Sequence, residues 1–202
     1  MAVTPEASDV ENSFGPFRYP STMNARQLSI LMQIGSFYDD DKIKNLLHPI
    51  ATQTYPVSLR ALDWLAVNFS KKTNVVYPLE INSSTILVNI SQLYKEHLKY
   101  WRRKHFDPFR RRSRIHFVYE NSFYPTTIGQ LNFISWASKY KILDYAKSHL
   151  REIESEMTSS LLNSKKRKDE QTNDGRKRTR TELSRRPISK CFVYNIEIKV
   201  NF

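Results

Sequence analysis

The spacing of apolar residues changes along this chain of 202 residues, and the change constrains the class of fold that it can adopt. Apolar residues recur every three or four positions in residues 57–69 and 126–157, which is the spacing of amphipathic helices. They alternate in "RIHFVYE", residues 114–120, and form short β-branched runs in "TNVVYPLE" and "TILVNI" on either side of "NSS". Alternation indicates strands, and two short runs joined by a turn indicate a hairpin. The sequence therefore predicts an α+β fold, a single domain of several helices with a small, mainly antiparallel sheet.

Three further helices complete this prediction. Residues 23–34 have helical spacing and follow Ser21 and Thr22, either of which can cap the helix. Residues 39–47 begin with three Asp, which favours a helix N-terminus over a metal site, and Pro49 is expected to end that helix shortly after Leu47. The third helix, "SQLYKEHLKYWRRK", carries a stripe formed by Leu93, Tyr94, His97, Leu98 and Trp101. The longest helical stretch, 126–157, is predicted to start at Thr126 or Thr127 and to break near residues 139–141.

Four segments are predicted from composition. Residues 1–20, which contain three Pro and one Gly and show little periodicity, are interpreted as a flexible N-terminal arm, and residues 21–160 as the globular α+β domain. Residues 161–188 are polar and charged without apolar periodicity, which is typical of a disordered basic linker. Residues 189–202 are predicted to form a C-terminal strand, docked on the domain or paired with a partner. Its apolar side is formed by Phe192, Tyr194, Ile196, Ile198, Val200 and Phe202.

The net charge of +12 is concentrated in two stretches. Residues 102–114 hold seven Arg or Lys and one Asp, and residues 165–186 hold ten Arg or Lys and four acids, whereas the remainder is neutral overall. Charge placed in this way indicates an anionic partner. Nucleic acid, with DNA favoured, fits better than a membrane because no amphipathic apolar face accompanies the arginines.

The first stretch, called here the basic segment (residues 102–114), is the predicted nucleic-acid-binding site. Arginine forks match phosphate oxygens, and the aromatic residues that flank the cations either stack on unpaired bases or anchor the segment to the core. These aromatic residues are Trp101, Phe106, Phe109 and Phe117. Anchoring is the commoner role for the phenylalanines, and a solvated surface is the alternative for the arginines. The predicted binding residues are Arg102, Arg103, Lys104, Arg110, Arg111, Arg112 and Arg114.

The second stretch is predicted to be a nuclear import signal, because an import receptor binds an extended, exposed basic segment. A basic tail that binds nucleic acid directly has the same composition, and both roles are compatible. The predicted import residues are Lys165, Lys166, Arg167, Lys168, Arg176, Lys177 and Arg178.

No catalytic, metal or cofactor site is predicted. The five histidines are scattered, there is no phosphate-binding Gly-rich loop followed by Lys, and Cys191 is the one cysteine. His97 on a helical stripe and His116 on a strand are interpreted as structural or surface residues. No apolar window is long enough to span a membrane, and no secretion signal is expected.

Several segments, "DWLAVNFSKK", "FDPFRRRSRIHF", "TTIGQLNFISWASKYKILDY" and "IEIKVNF", are similar to those of uncharacterised proteins of nucleocytoplasmic large DNA viruses. The likeness covers residues 59–157 and the terminal strand, and leaves out the N-terminal arm and the basic linker. It implies a viral protein acting near DNA in the host nucleus, viral factory or virion, and it assigns no residue a role. The first hypothesis is a non-enzymatic, sequence-independent nucleic-acid-binding protein. The second is a virion structural or assembly protein that binds other viral proteins through its terminal strand.

Overall fold

A computed structural model describes residues 12–81, 83–109 and 113–172 and contains two antiparallel sheets among helices. The larger sheet has the strand order β1-β2-β5-β6, and the smaller is the hairpin β3-β4. The strands are β1 Asn12–Phe14, β2 Phe17–Tyr19, β3 Val76–Ile81, β4 Ser84–Asn89, β5 Arg114–Tyr119 and β6 Ser122–Thr127. This confirms the α+β fold with a small antiparallel sheet, including the hairpin around "NSS" and the strand at 114–119.

The helices are α1 Ala25–Gly35, α2 Asp40–Lys42, α3 His48–Ala51, α4 Leu59–Trp64, α5 Ser70–Thr73, α6 Ile90–Trp101, α7 Ile128–Lys139, α8 Ile142–Ser148 and α9 Leu150–Thr172. A π-helical turn, Ile43–Leu47, joins α2 to α3, and a second, Leu65–Phe69, joins α4 to α5. The predicted break in the longest helical stretch is confirmed, because Lys141 adopts φ 57° between α7 and α8. Thr127 caps α7, since its side chain accepts a hydrogen bond from the amide of Gln130.

The core is one cluster of buried apolar residues from the larger sheet, from α1, α4, α7 and α8, and from the two π-helical turns. Burial of these apolar side chains is the dominant favourable term in folding. The largest fully buried side chains of the core are Phe17, Phe106, Phe117, Phe133, Leu31, Leu47, Leu62, Leu65, Ile90, Ile115, Leu131 and Ile134.

The N-terminal region differs from its prediction as a flexible arm. Residues 12–19 form the hairpin β1-β2 around Gly15, whose φ of 53° suits a tight turn. β2 pairs with β5, and Phe17 is fully buried. The prediction is therefore wrong for residues 12–19, because one aromatic side chain docks the hairpin on the sheet. Residues 1–11 lie outside the described residues.

Two predicted helix boundaries are also wrong. Asn24, and not Ser21 or Thr22, caps α1, because its side chain accepts from the amide of Gln27 at 2.9 Å while the Gln27 side chain accepts from the Asn24 amide at 3.2 Å. Pro49 does not end the helix that Asp39 caps. It occupies the start of α3, directly after the π-helical turn, where the absence of its N–H is tolerated.

The chain divides into two compact units, residues 1–161 and 162–202. α9 continues to Thr172, so the prediction of disorder from residue 161 is wrong for residues 161–172. These residues are mostly Leu, Lys, Glu, Asp and Gln, and most of these types have good helix propensity without needing a buried face. The predicted strand at 189–202 and the linker from residue 173 lie outside the described residues.

Candidate nucleic-acid interface

The basic segment begins where α6 ends, as predicted for a connection between a helix and a strand. α6 is capped by Asn89, and its half-buried stripe of Leu93, Tyr94, His97, Leu98 and Trp101 packs against the core. Arg102 then adopts φ 61° and ψ 152°, a combination that costs conformational energy for a residue with a Cβ. This reversal turns the chain out of the helix into a 3₁₀ turn, Arg103–His105.

Buried side chains hold the first half of the basic segment in place. Phe106 is fully buried and its ring lies 5.4 Å from that of Trp136 and 5.6 Å from that of Phe133. The side-chain amide of Asn132 donates to the carbonyl of His105 at 3.0 Å. The predicted anchoring role is therefore confirmed for Phe106, and Phe117, also fully buried, serves β5 in the same way.

Close backbone packing fixes the middle of the basic segment. A Cβ on Gly129, in the first turn of α7, would lie 2.7 Å from the carbonyl oxygen of Asp107. The Asp107 side chain accepts from the amide of Phe109 at 2.9 Å, and Pro108 is buried. The Phe109 ring has no such burial and remains 49% exposed. Of the predicted aromatic residues, Phe109 is thus the most exposed to solvent.

The basic side chains that the structure describes in this segment are exposed to solvent. Arg102, Arg103, Lys104 and Arg114 are exposed. Arg103 Nε lies 3.7 Å from Asp107 Oδ2, and with its side chain 84% exposed this ion pair contributes little to stability. Among the described residues, Arg102, Lys104 and Arg114 have no carboxylate within 4.0 Å. Arg110, Arg111 and Arg112 lie outside the described residues.

Both ends of the basic segment meet at the N-terminus of α7. A small cavity of about 40 Å³ is lined by Lys104 and Ser113 together with Thr127. A larger groove of about 290 Å³ on the other side of Thr127 is lined by Phe109 and Arg114. The partial positive charge of the helix N-terminus adds to that of the two cations. The sequence predicted one loop for the basic segment. The fold brings two cations of that loop, Lys104 and Arg114, to the N-terminus of α7.

The groove continues along a part of the chain that sequence analysis did not assign to the site. A cavity of about 590 Å³ shares Phe109, Pro125 and Gln130 with the first groove and adds Tyr55 and Arg60. Tyr55 is half-buried and Arg60 is exposed. No local pattern around Tyr55 or Arg60 distinguishes them from ordinary surface residues, so only the fold associates them with Arg114.

A carboxyl group with an altered pKa lies beneath the basic segment. The pKa of Asp63, on α4, is raised to about 6, chiefly by burial and also by the charge of Asp107, while Arg103 opposes both. Asp63 is therefore largely ionised near neutral pH but titrates at mildly acidic pH. Neutralisation of this group would make the surface around Arg103 more positive.

The predicted import residues lie in the second unit. Lys165, Lys166, Arg167 and Lys168 belong to the end of α9, whereas Arg176, Lys177 and Arg178 lie outside the described residues. Within the described part of the chain, no three His, Cys, Asp or Glu side chains are grouped to hold a metal ion. None of the helices described there is long and apolar enough to cross a membrane.

Comparison with known proteins gives two matches. Residues 21–200 match a family described as "Family of unknown function (DUF7197)". The chain is also 31% identical, over 151 residues, to uncharacterized protein L507 of Acanthamoeba polyphaga mimivirus, an alignment that covers 71% of this chain and 58% of that protein. No solved structure matches. The predicted resemblance to viral proteins is confirmed, and the family match extends over the basic linker that the resemblance left out.

Proposed function

The chain belongs to DUF7197, a family of unknown function, and is similar to an uncharacterized mimivirus protein. On that premise we propose that it is a non-enzymatic nucleic-acid-binding protein. In this proposal it binds without sequence preference, with DNA as the favoured ligand. It acts in the host nucleus, the viral factory or the virion. The segment at 165–168 and 176–178 engages an import receptor.

The observation that carries the proposal is the contrast within the basic segment between its buried anchors and its exposed cations. Phe106 and Pro108 are buried, while Arg102, Lys104 and Arg114 are exposed and lack a carboxylate partner among the described residues. Crowded like charges held on a fixed backbone repel one another until an anion neutralises them. A phosphate backbone supplies such anions at regular spacing, and it makes no demand on base sequence.

A salt titration of binding tests the proposal. A fluorescently labelled duplex and a single strand of unrelated sequence are titrated with the full chain at several salt concentrations. Replacing Arg102, Lys104 and Arg114 by Gln removes up to three phosphate contacts. For the duplex, the slope of log affinity against log salt should become shallower by about 0.9 per lost contact.

The matched control replaces three other exposed lysines, Lys44, Lys71 and Lys95, by Gln. This variant loses the same net charge, so a general charge effect would change both slopes equally. Equal slopes for the two variants, or no measurable binding by the unmodified chain, would contradict the proposal. A strong preference for one duplex sequence would contradict its sequence independence.

One observation favours the second hypothesis, a structural or assembly protein. The β3-β4 hairpin exposes Leu87 at 75%, Val76 at 45% and Ile86 at 38%. Exposed apolar side chains grouped on one element are typical of protein contacts. Replacing Leu87 and Ile86 by Ser should then weaken assembly with viral proteins without changing the salt slope for DNA.

A further inference from the structure

The groove beside Thr127 and the cavity that continues it form one concave surface on the first unit, called here the long groove. The two parts, of about 290 Å³ and about 590 Å³, have Leu59, Phe109, Pro125 and Gln130 in common. Together they reach the upper part of the range of about 300–1,000 Å³ that is usual for ligand sites. The long groove therefore has room for a few linked ring-sized units and is too small for a folded domain.

Phe109 lies where the two parts of the long groove meet, since it lines both. It is 49% exposed, although its backbone is held by the hydrogen bond that its amide donates to Asp107 and by the buried Pro108 before it. An exposed ring forgoes the large gain of burial, and a fixed backbone keeps it available for stacking with little loss of freedom on binding. Nucleobases stack on such rings, and every base has a π-face.

Cations stand on both sides of Phe109 along the long groove. Arg114 lines the smaller part and Arg60 the larger, and both are exposed. Lys147, also exposed, has its Nζ 4.9 Å from the ring centre of Tyr55, which lines the larger part. Among the described residues, none of these three cations has a carboxylate within 4.0 Å. They therefore remain available to phosphate oxygens.

The charge of the long groove selects among ligands that contact aromatic rings. Of the described residues that line it, Glu154 is the one acid, so cations outnumber carboxylates on and beside this surface. Aromatic-lined grooves also bind proline-rich peptides, but recognition of such peptides makes no use of positive charge. An acidic peptide would neutralise the cations but offers no flat ring to Phe109. A nucleic acid supplies both the anions and the rings.

We propose that the long groove binds a single strand of nucleic acid in preference to a duplex, with one base stacked on Phe109 and phosphates of the same strand on Arg60 and Arg114. This inference rests on the proposed nucleic-acid-binding function and names the form of nucleic acid that the site prefers. In a duplex the bases are paired and stacked on one another, so their faces cannot reach a protein ring. An unpaired base presents its face to an aromatic side chain.

The test titrates the full chain with three fluorescently labelled probes: a short thymine strand, an abasic strand of equal length, and a duplex with the same number of phosphates. The thymine strand should bind about tenfold more tightly than the abasic strand, because one stacked base contributes about that factor. It should also bind more tightly than the duplex at physiological salt.

Phe109→Leu removes the ring and keeps an apolar side chain. It should lower the affinity for the thymine strand about tenfold, to that of the abasic strand, and leave the affinity for the duplex unchanged. Phe109→Trp keeps a stacking surface and should retain the preference for the thymine strand. Tyr100→Leu is the matched control, since it removes a ring that is 68% exposed and lies outside the long groove. It should change no affinity, and unchanged melting temperatures verify that all three variants fold.

Arg60→Gln separates the long groove from the basic segment, because Arg60 lies on α4 and outside that segment. For the thymine strand, the slope of log affinity against log salt should become shallower by about 0.7, the value for one phosphate contact of a single strand. The slope for the duplex should not change. Lys71→Gln removes the same charge from an exposed position outside the long groove and should change neither slope.

Equal affinity for the thymine and abasic strands, or an equal loss for all three probes in Phe109→Leu, would overturn the long groove as a strand site and leave phosphate binding by the basic segment standing. Thymine-strand binding that depends on Phe109 and Arg60, but keeps its salt slope when Arg102 and Lys104 are replaced by Gln, would instead overturn the role of the basic segment alone. Absence of binding to all three probes would overturn both proposals, and Phe109-dependent binding of a proline-rich peptide would then assign the groove to a peptide.

Discussion

At the scale of single residues, Gly129 determines how closely the basic segment approaches α7. A methyl group at this position would lie 2.7 Å from a backbone oxygen of Asp107, and backbone cannot rotate away as a side chain can. Gly129→Ala should destabilise the protein by up to about 2 kcal/mol, because overpacking costs about 1–3 kcal/mol and alanine returns about 1 kcal/mol of helix propensity. Urea denaturation with an unchanged m-value measures the difference.

Gly35→Ala is the matched control, since it is also a helical glycine. There the added methyl group would lie 2.8 Å from the ring edge of Phe14, a half-buried side chain that can shift. Gly35→Ala should therefore cost less than Gly129→Ala. The opposite order would show that the backbone contact with Asp107 is not a constraint.

Asp63 predicts a pH dependence of stability. Its pKa is raised from 3.8 to about 6 in the folded protein, so the folded state binds more protons than the unfolded state between these values. Its contribution to stability is therefore present below about pH 4 and is lost as pH rises through 6. Asp63→Asn should stabilise the protein at pH 7.5 by about 1 kcal/mol, after allowance for partial exposure, and by less at pH 5.

The measurement is the difference in unfolding free energy between this variant and the unmodified chain at the two pH values. Because the variant and the unmodified chain share their other titrating groups, including His97, the contributions of those groups cancel in this difference. Asp40→Asn changes an exposed carboxyl group and serves as the control. A gain for Asp63→Asn that is independent of pH would contradict the raised pKa.

At the scale of elements, the β1-β2 hairpin contributes to the core. Phe17 is fully buried, pairs with Phe117 across the strands, and contacts the ring of Tyr38 at 5.8 Å. Phe17→Ala should cost about 3–5 kcal/mol of stability, as is usual for a buried Phe. Ser13→Ala, at an exposed position of the same hairpin, should be nearly neutral. A negligible change in melting temperature for Phe17→Ala would restore the flexible-arm interpretation.

The spacing of apolar residues predicted those helices and strands whose pattern lies within one continuous segment. The helical spacing at 57–69 and the alternation at 114–119 each describe one face of one element. The structure accordingly has helical turns at 59–69 and a strand at 114–119. β1 and β2 have three residues each, pair with each other, and join the rest of the sheet only where β2 pairs with β5, so no local signal revealed them. β6 was also missed, because Pro125 is unusual in a strand and is accepted only at the edge of the sheet.

The parts of the candidate site that lie within one segment were also predictable from the sequence, whereas contacts between distant segments were not. Charge density identified the basic segment, and its aromatic residues indicated anchoring, which Phe106 fulfils. Tyr55 and Arg60 join Phe109 along one groove through tertiary packing. Such contacts between distant parts of a chain leave no periodic signal in any one segment.

At the scale of the whole molecule, the import prediction concerns the second unit. Import receptors bind extended peptides, so α9 must unwind from Lys165 to its end, which is a small cost for the last two turns of a helix. Replacing Lys165, Lys166, Arg167 and Lys168 by Gln should shift a fluorescent fusion, made too large to diffuse into the nucleus, toward the cytoplasm. Gln keeps a similar helix propensity, so the change removes charge alone.

The control replaces four exposed lysines of the first unit, Lys44, Lys71, Lys95 and Lys99, by Gln. This protein should remain nuclear because the basic residues of the second unit are intact. Nuclear accumulation of both variants would argue against an import signal at 165–168. Cytoplasmic location of both would indicate that total charge, and not a defined segment, controls distribution.

The pairing of β2 with β5 has a consequence for synthesis. Phe17 leaves the ribosome about a hundred residues before Phe117, its partner across the strands. The edge of β2 that pairs with β5 therefore stays unpaired until β5 has been translated. Closing so long a loop is entropically slow. Arg114 is the first residue of β5, so the sheet closes only when the last cation of the basic segment is also in place. A nascent chain consequently pairs β2 with β5 in the same late step in which the last cation of its proposed contact surface emerges.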